Sequence, residues 1–462
     1  SEDVGVVQIT AQQGSVLLDG ATITTANTGL QFAGDIFVNA RDRIDIVRGS
    51  EITAEGVEGG IFLGASSEIV SESPLVPQTV VVDSSKLLTV NAINADTETG
   101  DILINALGSI QLTNATLSGD GNQGRIFLGF RSADEVDPVL PQNIVILHSN
   151  LTTDNGVIRG EAAAGSINLR SSNRIDIAQN SVLSGVTDGK AAGGNININT
   201  RSLAVTNGST LDTTSDGAGR AGNINISARR VILDNGARIQ ADTESGNGGN
   251  ITLQDMTVLV LRRDSLISTE AGSSREGGGG NGGNITLNAR KGFIVAVARE
   301  NSDIIANAFD GRGGQVKIAA NRVLGLTVQR RLSTDSLRSN RSSDVSASSE
   351  VGSEGNVDID SLQIDPSQGL ISLPVDLIDP TNLIARGCDP GNETSDRQSR
   401  FIATGKGGLP ANPFDSRSAG APPIPWVSRT AAVVRQEPPS PSLDLEAPSF
   451  LAEAQGIAID PH

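Results

Sequence analysis

Cysteine occurs once in the 462 residues, at Cys388, so an intramolecular disulfide and a Cys-rich zinc site are both excluded. Tyrosine is absent, tryptophan occurs once, and aromatic residues make up 2% of the chain. A compact enzyme core normally uses more rings, whereas a narrow interior has room for Ile, Val and Leu alone. Histidine occurs only at His148 and His462. A Ser-His-Asp or Cys-His centre would therefore have to use His148, and no local motif supports one. No apolar run approaches 18 residues, the length expected of a membrane-spanning helix. Positive charge is in deficit: 35 Lys and Arg face 53 Asp and Glu, for a net charge of −18. That balance argues against nucleic-acid or anionic-membrane partners and favours solubility in an exposed setting. The opening SEDVGVVQIT lacks a basic region followed by an apolar one, so no secretion signal is visible. The chain is then expected to be either cytosolic or a mature or truncated piece, and GSVLLDGATITTA at 14–26, already coil-like, favours truncation.

What the chain does have is a repeated phrase. GGNININT at 193–200 returns as AGNINISA at 221–228, GGNITLQD at 248–255 and GGNITLNA at 282–289. Weaker copies begin at Gly34, Gly59, Gly100, Gly124, Gly165, Gly313 and Gly355. From Gly194 the spacings are 28, 27, 34 and 31 residues, to Gly222, Gly249, Gly283 and Gly314. Ile-x-Ile has period two and gives a short strand one apolar face. A second strand follows at Leu203 with Val205, Val231 with Leu233, Val258 with Val260, and Phe293 with Val295. A polar corner (NGS, NGA, RDS, ENS) leads to a third, near Leu211, Ile239, Ile267 and Ile304. Three strands and three corners make one coil, and stacking coils buries the apolar faces in parallel register. The Gly pair is expected to supply positive φ at its corner. The recurring Asn195, Asn223, Asn250, Asn284 and Asn356 are expected to tolerate the same conformation and to bond to their own copies one coil away.

The expected fold is all-β: a single right-handed parallel β-helix over 1–373, with loop excursions near 65–82, 130–148 and 329–354. The first two excursions belong to a larger duplication, offset by 66 residues from Asp35 to Asp101 and by 65 from Ile61 to Ile126. The third, rich in Ser and charge, reads as disordered or looped. From Pro374 the pattern changes. Residues 374–430 are expected to cap or tether the last coil, and 431–462 form an irregular, Pro-rich, mostly disordered tail.

Chemistry is sparse. No phosphate-binding or dinucleotide fingerprint occurs. SSREGGGGNGG at 273–283 lacks the Asp positions of a calcium-binding glycine repeat, so no metal is expected there. Some parallel β-helices cleave polysaccharides with carboxylates on one strand face. The pairs to check are Asp42 with Asp45 and Asp358 with Asp360, each on an Ile-alternating strand where outward acids are the ordinary solvent face. The residues thus assign no catalytic, cofactor-binding or metal site, and no cofactor is expected.

The N-I-x-(I/L) coils with L-x-V strands and (N)GS corners resemble the filamentous-haemagglutinin family of two-partner secretion. The tail is similar to the closing segment of large cyanobacterial exoproteins of that family: DPTNLIARGC at 379–388, FIATGKGGLPANP at 401–413 and Trp426–Val427. Its N-terminal secretion domain is not recognisable in this chain. The resemblance implies an exported surface or extracellular rod, adhesin-like or structural and not an enzyme. It implies a monomer whose parent leaves through an outer-membrane two-partner pore, with cell-surface glycans or other cells as further partners. It transfers no catalytic residue. The alternative is a β-helix polysaccharide lyase or hydrolase using surface carboxylates.

Overall fold

The computed structural model describes residues 5–27, 33–65, 75–91, 98–130, 140–154, 164–188, 190–272 and 278–361. The chain divides into two compact units, Ser1–Ile371 and Ser372–His462, and every described residue belongs to the first. Cys388, His462, the expected cap at 374–430, the tail at 431–462 and the exoprotein-like motifs lie outside the described residues.

The described part is all-β apart from one helix of six residues, and its strands join two large sheets, of 19 and 12 strands. Every pairing between its strands is parallel, and up to Asp303–Ile305 each third-column strand, like each first-column strand before the last, pairs with its copy one repeat later. The register follows the repeated phrase: Ile196 faces Ile224, Ile224 faces Ile251, and Ile251 faces Ile285. This first column begins at Val7–Ala11 and ends at Asn356–Ser361. A second column carries Leu203, Val231, Leu259 and Ile294 in register. A third carries Leu183, Leu211, Ile239, Ile267 and Ile304. The inward aliphatics of all three form one continuous core. Each Leu or Ile so buried contributes roughly 2 kcal/mol. The rings stand apart from that core. Phe37, Phe62, Phe127 and Phe130 form a separate buried cluster with Leu103 and Ala65.

Three further rows lock the repeats together. Asn223 and Asn250 each donate from the backbone N–H and from Nδ2 to the Oδ1 of the preceding copy, at 2.8–3.1 Å, and Asn284 donates through Nδ2. The Asn ladder expected from the sequence is therefore present over these repeats. At the corner before the third column, buried serines form a second ladder. The N–H of Ser149 donates to Ser181 Oγ, that of Ser181 to Ser209 Oγ, and that of Ser302 to Ser343 Oγ, all at 3.1 Å. The third row is glycine. A Cβ at Gly194, Gly222, Gly249, Gly283 or Gly314 would overlap the carbonyl oxygen of the glycine one repeat earlier.

This corrects the reason for the glycines. None of these five, nor any of the ladder asparagines, has positive φ. They are needed because backbone lies against backbone. Left-handed φ appears instead at the serine corner, at Asn114, Asn180, Asn207, Asn235 and, in one repeat, His148. Asn tolerates that region because its short side chain bonds locally, and His148 is an exposed corner residue of the same row.

The excursions read at 65–82 and 130–148 fall partly on 66–74 and 131–139, outside the described residues. They rejoin as Thr79–Asp83 and Asn143–Leu147, which pair with Ser109–Thr113 from either side. The stretch at 329–354 differs from a disordered or looped insertion. It holds the helix Thr334–Ser339 and the strand Asp344–Ser346. That strand slots between Asp303–Ile305 and Thr327–Gln329, so spatial order departs from chain order. Two leucines in an otherwise polar run explain the ordering. Leu332 and Leu337 pack on Leu266 and Ile305.

Candidate functional site

Two residues beyond each third-column strand, the chain places Thr214, Asp242, Glu270, Asn307 and Ser348 in successive repeats. Their order follows from the strand registers. In this row a side-chain oxygen binds the corner of the next repeat. Asp242 Oδ1 accepts Ser268 Oγ at 2.6 Å and the N–H of Glu270 at 2.7 Å. Asn307 Oδ1 accepts Ser346 Oγ at 2.8 Å and the N–H of Ser348 at 2.7 Å. Asp154 makes the same pair of bonds, to Ser184 Oγ and the N–H of Val186.

The helix Thr334–Ser339 closes over this row and leaves a cavity of about 440 Å³. Ser333 caps the helix, its Oγ accepting the N–H of Ser336. Asn307 Nδ2 holds the helix start through Thr334 Oγ1 at 3.2 Å, and Asn301 Nδ2 holds its end through the carbonyl of Arg338 at 3.0 Å. Arg338 reaches Glu270 Oε1 at 3.4 Å. Asp216, Glu244, Asp335 and Glu350 add further carboxylates to the lining.

Burial dominates the electrostatics. It pushes the Glu270 carboxyl up to about 8, against the pull of Arg338 and with the help of the Asp242 charge. Glu270 therefore holds a proton at neutral pH. Asp303, on the neighbouring strand and 2% exposed, is pushed up to about 7 by burial. The N–H of Asp344 donates to its Oδ1 at 2.8 Å and opposes that rise, while the Asp344 and Asp264 charges add to it. A protonated carboxyl beside a hydrogen-bonded second carboxylate is an arrangement able to give a proton to a bound oxygen and hold the charge that follows.

The residues singled out in the sequence lie elsewhere. Asp42 is an exposed corner residue, and Asp45 is taken up by Arg43 at 2.6 Å. Asp358 and Asp360 are exposed on the last first-column strand, with Arg290 at 3.4 Å from Asp360. Neither pair lines the cavity. The signal for Asp242 and Glu270 was present in the exits IQADTESG, ISTEAG and IIANAFDG, which align once the third strands are placed in register.

Among the described residues, no group of three or more His, Cys, Asp or Glu is arranged to hold a metal ion. No helix among them is long and apolar enough to cross a membrane. Compared with protein-family models, curated proteins and solved structures, the chain matches none.

Proposed function

We propose that residues 7–361 form one right-handed parallel β-helix and that the chain serves as an exported surface or extracellular protein, adhesin-like or structural. The observation carrying this reading is the unbroken register of the first column from Val7 to Ser361, with its Asn and Gly rows. A solenoid so built offers long lateral faces for contact, and function then resides in sites on those faces. The resemblance to two-partner exoproteins adds the route, an outer-membrane pore acting on the parent. Sedimentation and small-angle scattering test the rod. A frictional ratio typical of a compact sphere would sink it. Adhesion of cells to the immobilised chain tests the role.

A second reading is favoured by one feature, the Glu270–Asp242 cavity. Here the chain cleaves a polysaccharide, with Glu270 as proton donor and Asp242 as the second carboxylate. Incubation with neutral and acidic polysaccharides, followed by a reducing-sugar assay, decides it. Release of sugar by the native chain, abolished in Glu270→Gln, supports an enzyme. No release from either class returns the cavity to a structural role.

A further inference from the structure

The outward side of the second column changes character along the stack. In earlier repeats its positions alternate between polar and apolar residues, as with Asp45, Val81, Gln111, Val145 and Asp176 in register. In the later repeats the alternation stops. Ile232, Val260, Val295 and Leu324 stand in one outward row, and Val258 and Phe293 stand beside them. Phe293 is 43% exposed and Leu324 48%. Rings are scarce in this chain, and one placed on solvent among aliphatics marks a contact surface.

The border of this face is cationic. Arg230 and Arg322 occupy the two ends of the row containing Val258 and Phe293. Arg201, Arg229 and Lys291, at the corner leading into it, are all exposed. Among the described residues these five cations have no carboxylate within ion-pair distance. The opposite border is already neutralised, through Arg262 with Glu300 and Arg263 with Asp234. A local surplus of positive charge thus sits beside an exposed ring, in a protein whose net charge is −18.

We propose that this face binds an acidic polysaccharide. The apolar faces of the sugar rings lie on Phe293 and its aliphatic neighbours, and the carboxylate or sulfate groups meet Arg229, Arg230, Lys291 and Arg322. Repeats recur about every 4.8 Å along the stack. That is close to the length of one sugar unit in an extended chain, so successive rings meet successive repeats. The proposal rests on the surface or extracellular reading above and assigns it a ligand class.

The test measures binding of the whole chain to polygalacturonate, dextran sulfate, uncharged dextran and single-stranded DNA by titration calorimetry at two salt concentrations. Polygalacturonate and dextran sulfate are expected to bind, more weakly at high salt, while dextran does not. Arg230→Glu with Lys291→Glu is expected to weaken binding about tenfold or more. Phe293→Ser weakens it several-fold without changing the salt dependence. All three sites are exposed, so an unchanged circular-dichroism melt shows that the variants are folded. Equal affinity of native and variant chains overturns the proposal. So does DNA binding as tight as polygalacturonate with no dependence on Phe293. Self-association of the native chain that Arg230→Glu abolishes also overturns it, by making a second copy the occupant. Cell adhesion by a native chain that binds neither acidic polysaccharide leaves the adhesin reading standing and defeats this one. Polysaccharide binding that the variants lose, in a chain to which no cells adhere, does the reverse.

Discussion

Replacing Asp303 by Asn should stabilise the protein, and only above mildly acidic pH. Asp303 is buried on the strand Asp303–Ile305, and its carboxyl is raised from 3.8 to about 7. A carboxyl with a folded pKa above its unfolded one contributes stability that is fully present below the unfolded value. That contribution is lost as pH rises through the folded value. The window is therefore pH 4 to 7. Each pH unit of displacement is worth about 1.4 kcal/mol, so the native chain loses roughly 4 kcal/mol across it. Asparagine never charges, and its Oδ1 can still accept the Asp344 N–H. The strength of that bond to the charged carboxylate is already contained in the net rise to about 7. The net gain is then about 4 kcal/mol at pH 8 and near zero at pH 4. Glu270, Asp264, Asp344 and Arg338 are present in both proteins, so their titration largely cancels in the difference. Thermal melts followed by far-ultraviolet circular dichroism at half-unit steps from pH 4 to 8.5 give the curve. Amide exchange in Asp344–Ser346 locates it. A difference that is flat across the range, or Asp303→Asn the less stable at pH 8, would refute the assignment of a buried, strained carboxylate.

Two other substitutions separate the rows that bind the repeats. Gly222→Ala drives a Cβ into the Gly194 carbonyl, a backbone atom with nowhere to turn, and should cost about 3 kcal/mol or more, whereas Gly279→Ala meets open space and should lie within about 0.5 kcal/mol of neutral. Equal urea midpoints for the two would show that repeat spacing, not φ, has been misjudged as the constraint. Ser181→Ala removes the acceptor of the Ser149 N–H. Alanine already stands at the equivalent Ala237, where the N–H of Ser209 turns to the carbonyl of Thr206, so the loss should be only about 1 kcal/mol. A loss above 3 kcal/mol in the same urea assay would mean that this turn cannot adjust.

The three columns were legible because period two and the Gly-Asn punctuation are local signals. Placing Ile196 over Ile224 needs only the 28-residue spacing and the fact that a slip of one residue turns every Ile outward. The purpose of the glycines was not legible. Close approach of two backbones and a positive φ both select glycine, and only the structure distinguishes them. The order at 303–346 was also hidden. Chain order predicts Thr327–Gln329 as the next rung after Asp303–Ile305, yet Asp344–Ser346 takes that place. The choice turns on Leu332 and Leu337 finding Leu266 and Ile305, which is a tertiary event. Asp242 and Glu270 escaped notice for a related reason. Each looks like an ordinary polar corner residue until the third-column register puts one above the other.

That superposition explains why the helix sits where it does. Parallel stacking turns any residue type repeated at one corner into a row. A row of asparagines is self-satisfying, since each Nδ2 donates to the Oδ1 below it, as from Asn223 to Asn195. A row of carboxylates cannot do this, because two ionised neighbours have acceptors only and repel. Asp242 and Glu270 are such neighbours. Two responses are visible: Asp242 accepts donors from Ser268 and from the Glu270 backbone, and the Glu270 side chain retains its proton while Arg338 approaches at 3.4 Å. Arg338 is brought there by the six-residue helix, and the helix is anchored through Asn307, the next member of the same row. The cavity thus lies where two carboxylates follow one another in a row and their repulsion is partly relieved from outside the stack. Supplying an amide with Glu270→Gln should make Arg338 dispensable. Adding Arg338→Ala to Glu270→Gln is expected to change stability by less than about 1 kcal/mol. Arg338→Ala alone deepens the isolation of a buried carboxyl and costs more at pH 9 than at pH 6, since Glu270 is charged at the higher pH.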